Sequence, residues 1–335
     1  MAKIKKLIND TDDLVVEMVK GYVSAYSDKL IKVENADVVA RKVKSENKVG
    51  VIIGNGSGHE PACLGFVGKN MLDCNAFGGI FASPGPYALL DAIKEADTGK
   101  GVCVLISSHA GDILNSKMAI DMADDDDYLA KGVILYDDIA SAPKEEPEER
   151  RGAIGTIFSY KMVGSYAEEG HSLDEVVALA EKVRDNSRSL SLGLVSGTSP
   201  VTGEKMFELP EGEVEIGLGV HGEAAAHRMK DASAKEIAQV MVDSLVEDMP
   251  YVDGDEVVVI VNGMGQTTMM ELMIFFNEVQ ELLTKKNIKI FKPIIGNFIT
   301  TQEMGGVSLA FCKVDEQLKK LWAVETDATQ FPKFN

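Results

Sequence analysis

Three histidines follow short apolar runs in glycine-bearing turns. His59 lies in Gly54-Asn55-Gly56-Ser57-Gly58-His59-Glu60-Pro61, His109 in Ser107-Ser108-His109-Ala110-Gly111-Asp112, and His221 in Gly217-Leu218-Gly219-Val220-His221-Gly222-Glu223. An imidazole in such a place can move a proton, add to a carbonyl carbon or ligate a metal. The glycines let the backbone turn tightly and approach a small ligand, because no Cβ stands in the way. Asp112, three residues after His109, offers a carboxylate to take a proton or orient an imidazole; Asp is also a favoured N-cap, so it equally suits the opening of the next helix. His171, between two helices, reads as a surface loop residue, and His227, at what reads as the start of a helix, is a weaker candidate than the other three.

Several chemistries are disfavoured by pattern. The alternating Gly54, Gly56 and Gly58 carry histidine where a dinucleotide fingerprint needs its third glycine, and no G-x-x-x-x-G-K-[ST] loop occurs, so no nucleotide cofactor is expected on this chain. Three histidines and one aspartate lack short-range zinc spacing, and no metal is expected. No G-x-S-x-G elbow supports a serine hydrolase. Cys63, Cys74, Cys103 and Cys312 are scattered, which predicts buried free thiols. With 53 acidic against 34 basic residues and a net charge of −19, direct nucleic-acid binding is not expected. No apolar run reaches membrane length, and the start Met1-Ala2-Lys3-Ile4-Lys5-Lys6 leads into a polar helix rather than a signal core. A cytoplasmic protein without membrane contact is the expectation.

The elements that carry these turns alternate. Strands are predicted over 49–53, 101–106 and 132–136 with helices between, then helices over 151–169 and 172–186, the latter opened by Ser172. Beyond a polar connection the pattern restarts, with strands over 189–195, 214–219, 257–261 and 288–295 and helices over 234–247 and 268–285. Two α/β domains follow, each a mostly parallel or mixed sheet flanked by helices, over 1–187 and 188–335. The closing strand at 307–314 and helix at 316–322 leave their domain open, with a return of the last ~25 residues to the first domain as one option. In open sheets of this kind ligands lie beyond the carboxyl ends of the strands, where His59 and the Ser107–Asp112 turn both fall.

The segments Gly56-Ser57-Gly58-His59-Glu60-Pro61, Gly111-Asp112-Ile113-Leu114-Asn115, Arg150-Arg151-Gly152 and residues 217–223, in that order, resemble the signature segments of the substrate-binding (K) subunit of dihydroxyacetone kinases. The likeness runs from Lys6-Leu7-Ile8-Asn9-Asp10 to Leu321-Trp322. It implies that a nitrogen of His221 adds to the ketone of dihydroxyacetone to give a hemiaminal. It also implies that His59 and Asp112 act as acid/base and hydrogen-bond partners of the substrate, with Gly56 lining the same pocket; Ser57, Gly58, Ser107 and His109 beside them are further candidates for binding substrate. In this family ADP or ATP, with Mg, sits on a separate L subunit or domain, and the K subunit is a homodimer.

The chain departs from the kinase pattern. Where K subunits read Lys-Asn-Tyr-Thr-Gly-Asp, it reads Ser107-Ser108-His109-Ala110-Gly111-Asp112, so Ser107 stands for a lysine that helps hold substrate. Asn55 replaces a glycine, Ser116 a phenylalanine, and Ala224-Ala225 a Pro-Gly pair. This pattern resembles the DhaQ-type co-activator paralogue, which binds dihydroxyacetone and partners a TetR-like regulator. That reading is favoured over a working kinase subunit acting with an L subunit; an erythrulose or other short-ketose kinase subunit is a third.

Overall fold

The computed structural model describes residues 6–223 and 227–334, and the elements below are those of the described residues. The polar start at residues 1–5 and the Ala224-Ala225 departure lie outside them. The chain forms two compact units, each assembled from separate stretches of the sequence rather than divided by a single cut near residue 187. Lys5–Leu135, Ile157–Val183 and Lys320–Asn335 make one, whereas Tyr136–Thr156 and Arg184–Lys319 belong to the other.

In the first unit α1 (Leu14–Ala25) precedes a hairpin of β1 (Leu30–Lys32) and β2 (Val38–Arg41). Then come β3 (Gly50–Ser57), β4 (Cys74–Ile80), α2 (Pro86–Ala96), β5 (Val102–Ser107), α3 (Ala110–Asp125) and β6 (Ala130–Leu135). The strand order is β1-β2-β4-β3-β5-β6, with β4, β3, β5 and β6 mutually parallel and the hairpin antiparallel at one edge. Ile52, Val102, Val104 and Ile106 join one core with Leu89, Ile93 and Ala119 of the helices. Their neighbours Val51, Ile53, Cys103 and Leu105 point to the opposite face and are fully buried too, which is why β3 and β5 read as unbroken apolar runs.

The helices α4 (Thr156–Glu168) and α5 (Leu173–Asp185) complete that unit, α5 opened by a reciprocal Ser172–Glu175 cap. The helix predicted over 151–169 starts only at Thr156. The residues before it are held as a connection by Asp137, whose buried carboxylate accepts from the amides of Ala153 at 2.8 Å and Gly155 at 2.7 Å. Near α4, Asp73 takes Arg41 Nε at 2.9 Å and Lys48 Nζ at 2.5 Å, and Glu168 takes Arg41 Nη1 at 2.5 Å. This buried ion cluster ties the β1–β2 hairpin edge to the helix.

The second unit contains β7 (Ser187–Val195), β8 (Glu213–Ile216), β9 (His227–Lys230), α6 (Ala234–Asp248), β10 (Glu256–Gly263), α7 (Met269–Lys285), β11 (Lys289–Ile290), β12 (Ile294–Gly296) and β13 (Gly305–Lys313), with α8 (Glu316–Ala323) after it. Its sheet runs β11-β10-β13-β7-β8-β9, with β12 also on β10, and is antiparallel except for the β10 pairings with β11 and β12. Capping boxes at Ser233/Glu236 and Thr268/Glu271 start α6 and α7, which bury Met241, Leu245, Leu272 and Phe275 against β7, β10 and β13.

Two expectations are corrected here. The strand predicted over 288–295 is two short strands, because Lys292 turns back with φ +40° and Pro293 has no N–H to donate. His227 opens a strand, not a helix: it pairs with Ile216, and the two edge strands β8 and β9 continue the sheet. All four cysteines are buried free thiols, as their spacing predicts, and burial pushes Cys63, Cys103 and Cys312 up to about 12. Among the described residues no helix is long and apolar enough to cross a membrane.

Lys161 of α4 is wholly buried and donates to Ser165 Oγ at 2.6 Å and to the Leu321 carbonyl at 3.0 Å. Burial away from water pushes its ammonium down to about 7, from an ordinary 10.5. Between those values the folded chain holds fewer protons than the unfolded one, so this group makes stability rise with pH and weakens the fold below about 7. The stability difference between wild type and Lys161→Met should therefore move toward the wild type across that window, on the order of 1 kcal/mol per pH unit. Calorimetric melts of both proteins at several pH values check this, and a difference independent of pH would refute the titration.

Candidate functional site

Two clusters of polar residues stand at strand-end loops, one in each unit. In the first, β3 ends in a loop with little room for side chains. A Cβ on Gly56 would stand 2.7 Å from the amide nitrogen of Ala82 and 2.9 Å from its carbonyl. Gly58 has φ +105°, and a Cβ there would stand 2.6 Å from the Phe81 ring. The glycines are thus required by close approach of the loop that follows β4. Ser57 is buried and gives its hydroxyl to the Gly78 carbonyl at 2.8 Å, stitching β3 to β4. Glu60 folds back so that its carboxylate accepts from the Gly58 amide at 3.0 Å; burial nonetheless raises its pKa.

That loop carries His59, which is buried with its ring 5.0 Å from that of Phe81 at an interplanar angle of 50°. The segment after β4 also reaches the start of α3. Ser83 lies 3.2 Å from where a Cβ on Gly111 would be, and Asn115 Nδ2 donates to the Pro84 carbonyl at 2.9 Å. Residues 81–84 therefore brace both the His59 loop and the α3 N-terminus, which follow the adjacent parallel strands β3 and β5. This is the carboxyl edge of the sheet, where a doubly wound arrangement keeps its ligands.

At α3 the N-cap is His109, in extended conformation with φ −130° and ψ 145°, and Asp112 lies in the first turn. The capping role that Asp112 was equally suited to is thus not the one it has, although its charge suits the positive end of the helix. His109 Nδ1 is 3.1 Å from Ser107 Oγ and 3.8 Å from Asp112 Oδ2. His171 stacks on Tyr166 with ring centroids 3.7 Å apart, and it is a surface residue of the α4–α5 turn.

The second cluster surrounds His221. The strand expected over 214–219 ends at Ile216, because Gly217 turns with φ +81° and donates instead to the Ser191 carbonyl at 2.7 Å. Gly222 turns again with φ +80°, and Thr301 Oγ1 anchors the loop by donating to the Val220 carbonyl at 2.6 Å. His221 stands half-buried in this loop. Its Nδ1 is 2.8 Å from Glu223 Oε1, and its amide donates to Glu223 Oε2 at 2.8 Å. Burial alone would raise the Glu223 carboxyl, but the hydrogen bonds and charge of His221 hold it down at about 2.

An ionised carboxylate can only accept, so Nδ1 of His221 carries the proton of that bond. In the neutral ring Nε2 is then the basic, nucleophilic nitrogen. Behind Glu223 stands Arg151, which gives Nε and Nη2 to Asp138 Oδ2 at 3.1 and 2.8 Å and Nη2 to the Gly217 carbonyl at 3.1 Å. Asp138 is buried, which pushes its carboxyl up to about 6 against the opposing pull of Arg151. Arg150 points elsewhere and forms a two-pronged pair with Asp248, which also takes Arg188.

A Dak1 domain model matches residues 20–330. The chain belongs to the Dak1 family. Over 314 residues it is 39% identical to the dihydroxyacetone-binding subunit DhaK of PTS-dependent dihydroxyacetone kinase 1 from Listeria innocua serovar 6a, covering 94% of this chain and 95% of that protein. The corresponding Lactococcus lactis subunit is 39% identical over 319 residues, covering 95% of this chain and 96% of that subunit. Among solved structures, the dihydroxyacetone kinase operon co-activator DhaQ matches with a TM-score of 0.90 at 31% identity over 95% of this chain and 98% of that one. The dihydroxyacetone kinase of C. freundii matches with a TM-score of 0.91 at 30% identity; this Dak1 chain spans 60% of its length, and 98% of its own.

Within the Dak1 chain the structure groups Gly56, Ser57, Gly58 and His59 with Ser107, His109 and Asp112 along one sheet edge, and it sets His221 with Glu223, Arg151 and Asp138 in the other unit. Sequence reasoning gave no role to Glu223, Arg151, Asp138 or Phe81. Glu223 and Arg151 stand inside quoted motifs, and an acid two residues after a candidate nucleophile is a signal that was available. The glycine constraint predicts that Gly56→Ala lowers stability by about 1–3 kcal/mol. Gly79→Ala, whose nearest atom beyond its chain neighbours would be 3.9 Å away, should stay within about 0.5 kcal/mol of wild type. Urea denaturation of the pair checks this, and equal midpoints would refute it.

Proposed function

We propose that this Dak1 chain captures dihydroxyacetone covalently on His221 and acts as a ligand-sensing co-activator for a TetR-like regulator. The observation that carries the capture is the Glu223 carboxylate on Nδ1 of His221. With the proton on Nδ1, the Nε2 lone pair adds to the ketone carbon, and the carbonyl π electrons become an alkoxide that takes a proton to give the hydroxyl of a hemiaminal. The ring gains positive charge as the C–N bond forms, and the carboxylate beside it stabilises that charge. The names of the DhaK subunits, dihydroxyacetone-binding, support this choice of ligand. The proton traffic at the substrate oxygens is assigned to His59 and Asp112, as the family resemblance implies.

The co-activator half of the reading is supported by Ser107 and His109. Where the kinase motif has a lysine, Ser107 offers a short hydroxyl 3.1 Å from His109 Nδ1. Phosphoryl transfer depends on positioning and on positive charge around the transferred group, and this exchange removes one cation. Likeness to the co-activator DhaQ over nearly the full length of both chains agrees. The second reading, a K subunit working with an L subunit, is favoured by the 39% identity to kinase subunits. In either case a homodimer is proposed, which light scattering checks against a chain mass of 36.2 kDa.

Titration calorimetry with dihydroxyacetone tests capture. Wild type should bind, His221→Ala should show no binding while keeping its melting temperature, and His59→Asn should bind more weakly than wild type but more tightly than His221→Ala. Unchanged affinity in His221→Ala would end the proposal. An assay supplying L and phosphotransfer subunits from a DhaK relative separates the two readings. Little dihydroxyacetone phosphate is expected, and turnover comparable to the relative's own DhaK subunit would replace the co-activator with a kinase subunit.

A further inference from the structure

Glu223 can bond Nδ1 of His221 only if its carboxylate is held in one orientation, and the loop that carries both residues is glycine-rich and half-exposed. One group facing that carboxylate belongs to a different segment. Arg151 Nη1 stands 3.9 Å from Glu223 Oε2, the oxygen that also accepts the His221 amide, which leaves Oε1 for the ring. Gly219 passes between them: a Cβ there would overlap both Glu223 Oε2 and Arg151 Nη1, so the residue type itself keeps the acid and the guanidinium within reach.

Arg151 is fixed in turn. Nε and Nη2 converge on Asp138 Oδ2, Nη2 also reaches the Gly217 carbonyl, and the Arg151 backbone carbonyl accepts from the amides of Asp137 and Asp138, both at 3.1 Å. The Arg151 amide donates to Ser141 Oγ at 2.9 Å, and Ser141 donates to the Asp138 carbonyl at 2.8 Å. Asp138 Oδ1 accepts from the Ala140 amide at 3.1 Å. Asp138 is 4% exposed, so the far end of this chain of contacts is shielded from water while the His221 end is not. With Asp138 buried and both Nε and Nη2 of Arg151 engaged, the guanidinium is held in place, and it hands that placement to the carboxylate.

We propose that Arg151, locked by Asp138 and the Gly217 carbonyl, is a positioning residue that orients Glu223 and so sets the tautomer of His221. The step from tautomer to ligand capture rests on the reading of His221 as the nucleophile; the tautomer itself does not. Long-range proton–nitrogen NMR spectra of protein labelled with 15N-histidine, recorded without ligand at a pH where the ring is neutral, test it. Wild type should show the Nδ1–H form of His221. Arg151→Gln should shift His221 measurably toward the Nε2–H form and weaken dihydroxyacetone binding by about fivefold or more. Asp138→Asn, which keeps an acceptor but loses the charge, should move the same signals part of the way.

An unchanged His221 tautomer in Arg151→Gln overturns the proposal. If that variant does not fold, Arg151→Lys takes its place: a lysine keeps the charge but cannot reach Asp138, Gly217 and Glu223 at once, and an unshifted tautomer there is equally fatal. A tautomer shift in a protein that never binds dihydroxyacetone would sustain the positioning role and end the capture reading. Binding lost with the tautomer unmoved would do the reverse.

Discussion

The hydrogen bond between Glu223 and Nδ1 of His221 is the constraint on which the proposed chemistry of this chain depends. A neutral imidazole has one donor and one acceptor nitrogen, and which is which follows from the stronger partner. Glu223 is ionised at any ordinary pH, with a carboxyl held at about 2, so it is a partner that only accepts. The same two-residue separation lets the acid take the His221 backbone amide on its other oxygen. That double contact needs a loop that curls back on itself, and Gly217 and Gly222 with positive φ supply the curl. Glycines here are structural in cause and chemical in consequence.

The opposite economy governs the other cluster. There the glycines matter because backbone passes close to backbone: the loop after β4 lies against Gly56 with no space for a methyl group, and its Phe81 ring covers Gly58. One segment, residues 81–84, thereby sets the height of the His59 loop and of the α3 N-terminus together. His59 lies far in sequence from His109 and Asp112, but they follow adjacent parallel strands and are braced by that common segment. Parallel strands put their carboxyl ends on one side, so the topology gathers the side chains before any of them makes a specific contact.

This division explains what could be read from the sequence. The central strands β3, β5 and β10, and β13 but for Ser308, were legible because burial on both faces leaves apolar runs, β7 because leucine alternates with serine along it, and α5, α6 and α7 because each has an N-cap and an acid three residues on. Two edge elements, β1 and β9, were not. β1 is three residues long and β9 is polar, with His227 and Arg228 exposed, so neither has a hydrophobic period to detect. Residues 151–155 run straight into the helical stretch of α4, but Gly152 and Gly155 weaken a helix there and Asp137, a non-local partner, claims the amides of Ala153 and Gly155. The histidines announced themselves through glycine neighbours, whereas Arg151 and Asp138 act through a contact with a loop some 70 residues later in the chain, a pairing no local pattern encodes.

The exchange of a lysine for Ser107 bears on how far ligand capture and phosphoryl transfer are separable. Carbonyl addition asks for a nucleophilic nitrogen and a proton source, both neutral or nearly so at the start, and the charge that develops is small and local. Phosphoryl transfer asks for cations around three equatorial oxygens and for in-line alignment. A hydroxyl bonded to a neighbouring imidazole satisfies neither demand of the second reaction, yet it costs the first nothing, because the atoms that would form the C–N bond are on a different loop and take their orientation from Glu223. A fold that draws the support of the proposed nucleophile and the residue at position 107 from different segments of the chain can lose transfer while keeping capture. That is the physical route by which one scaffold would serve as both a kinase subunit and a sensor of the same ketone.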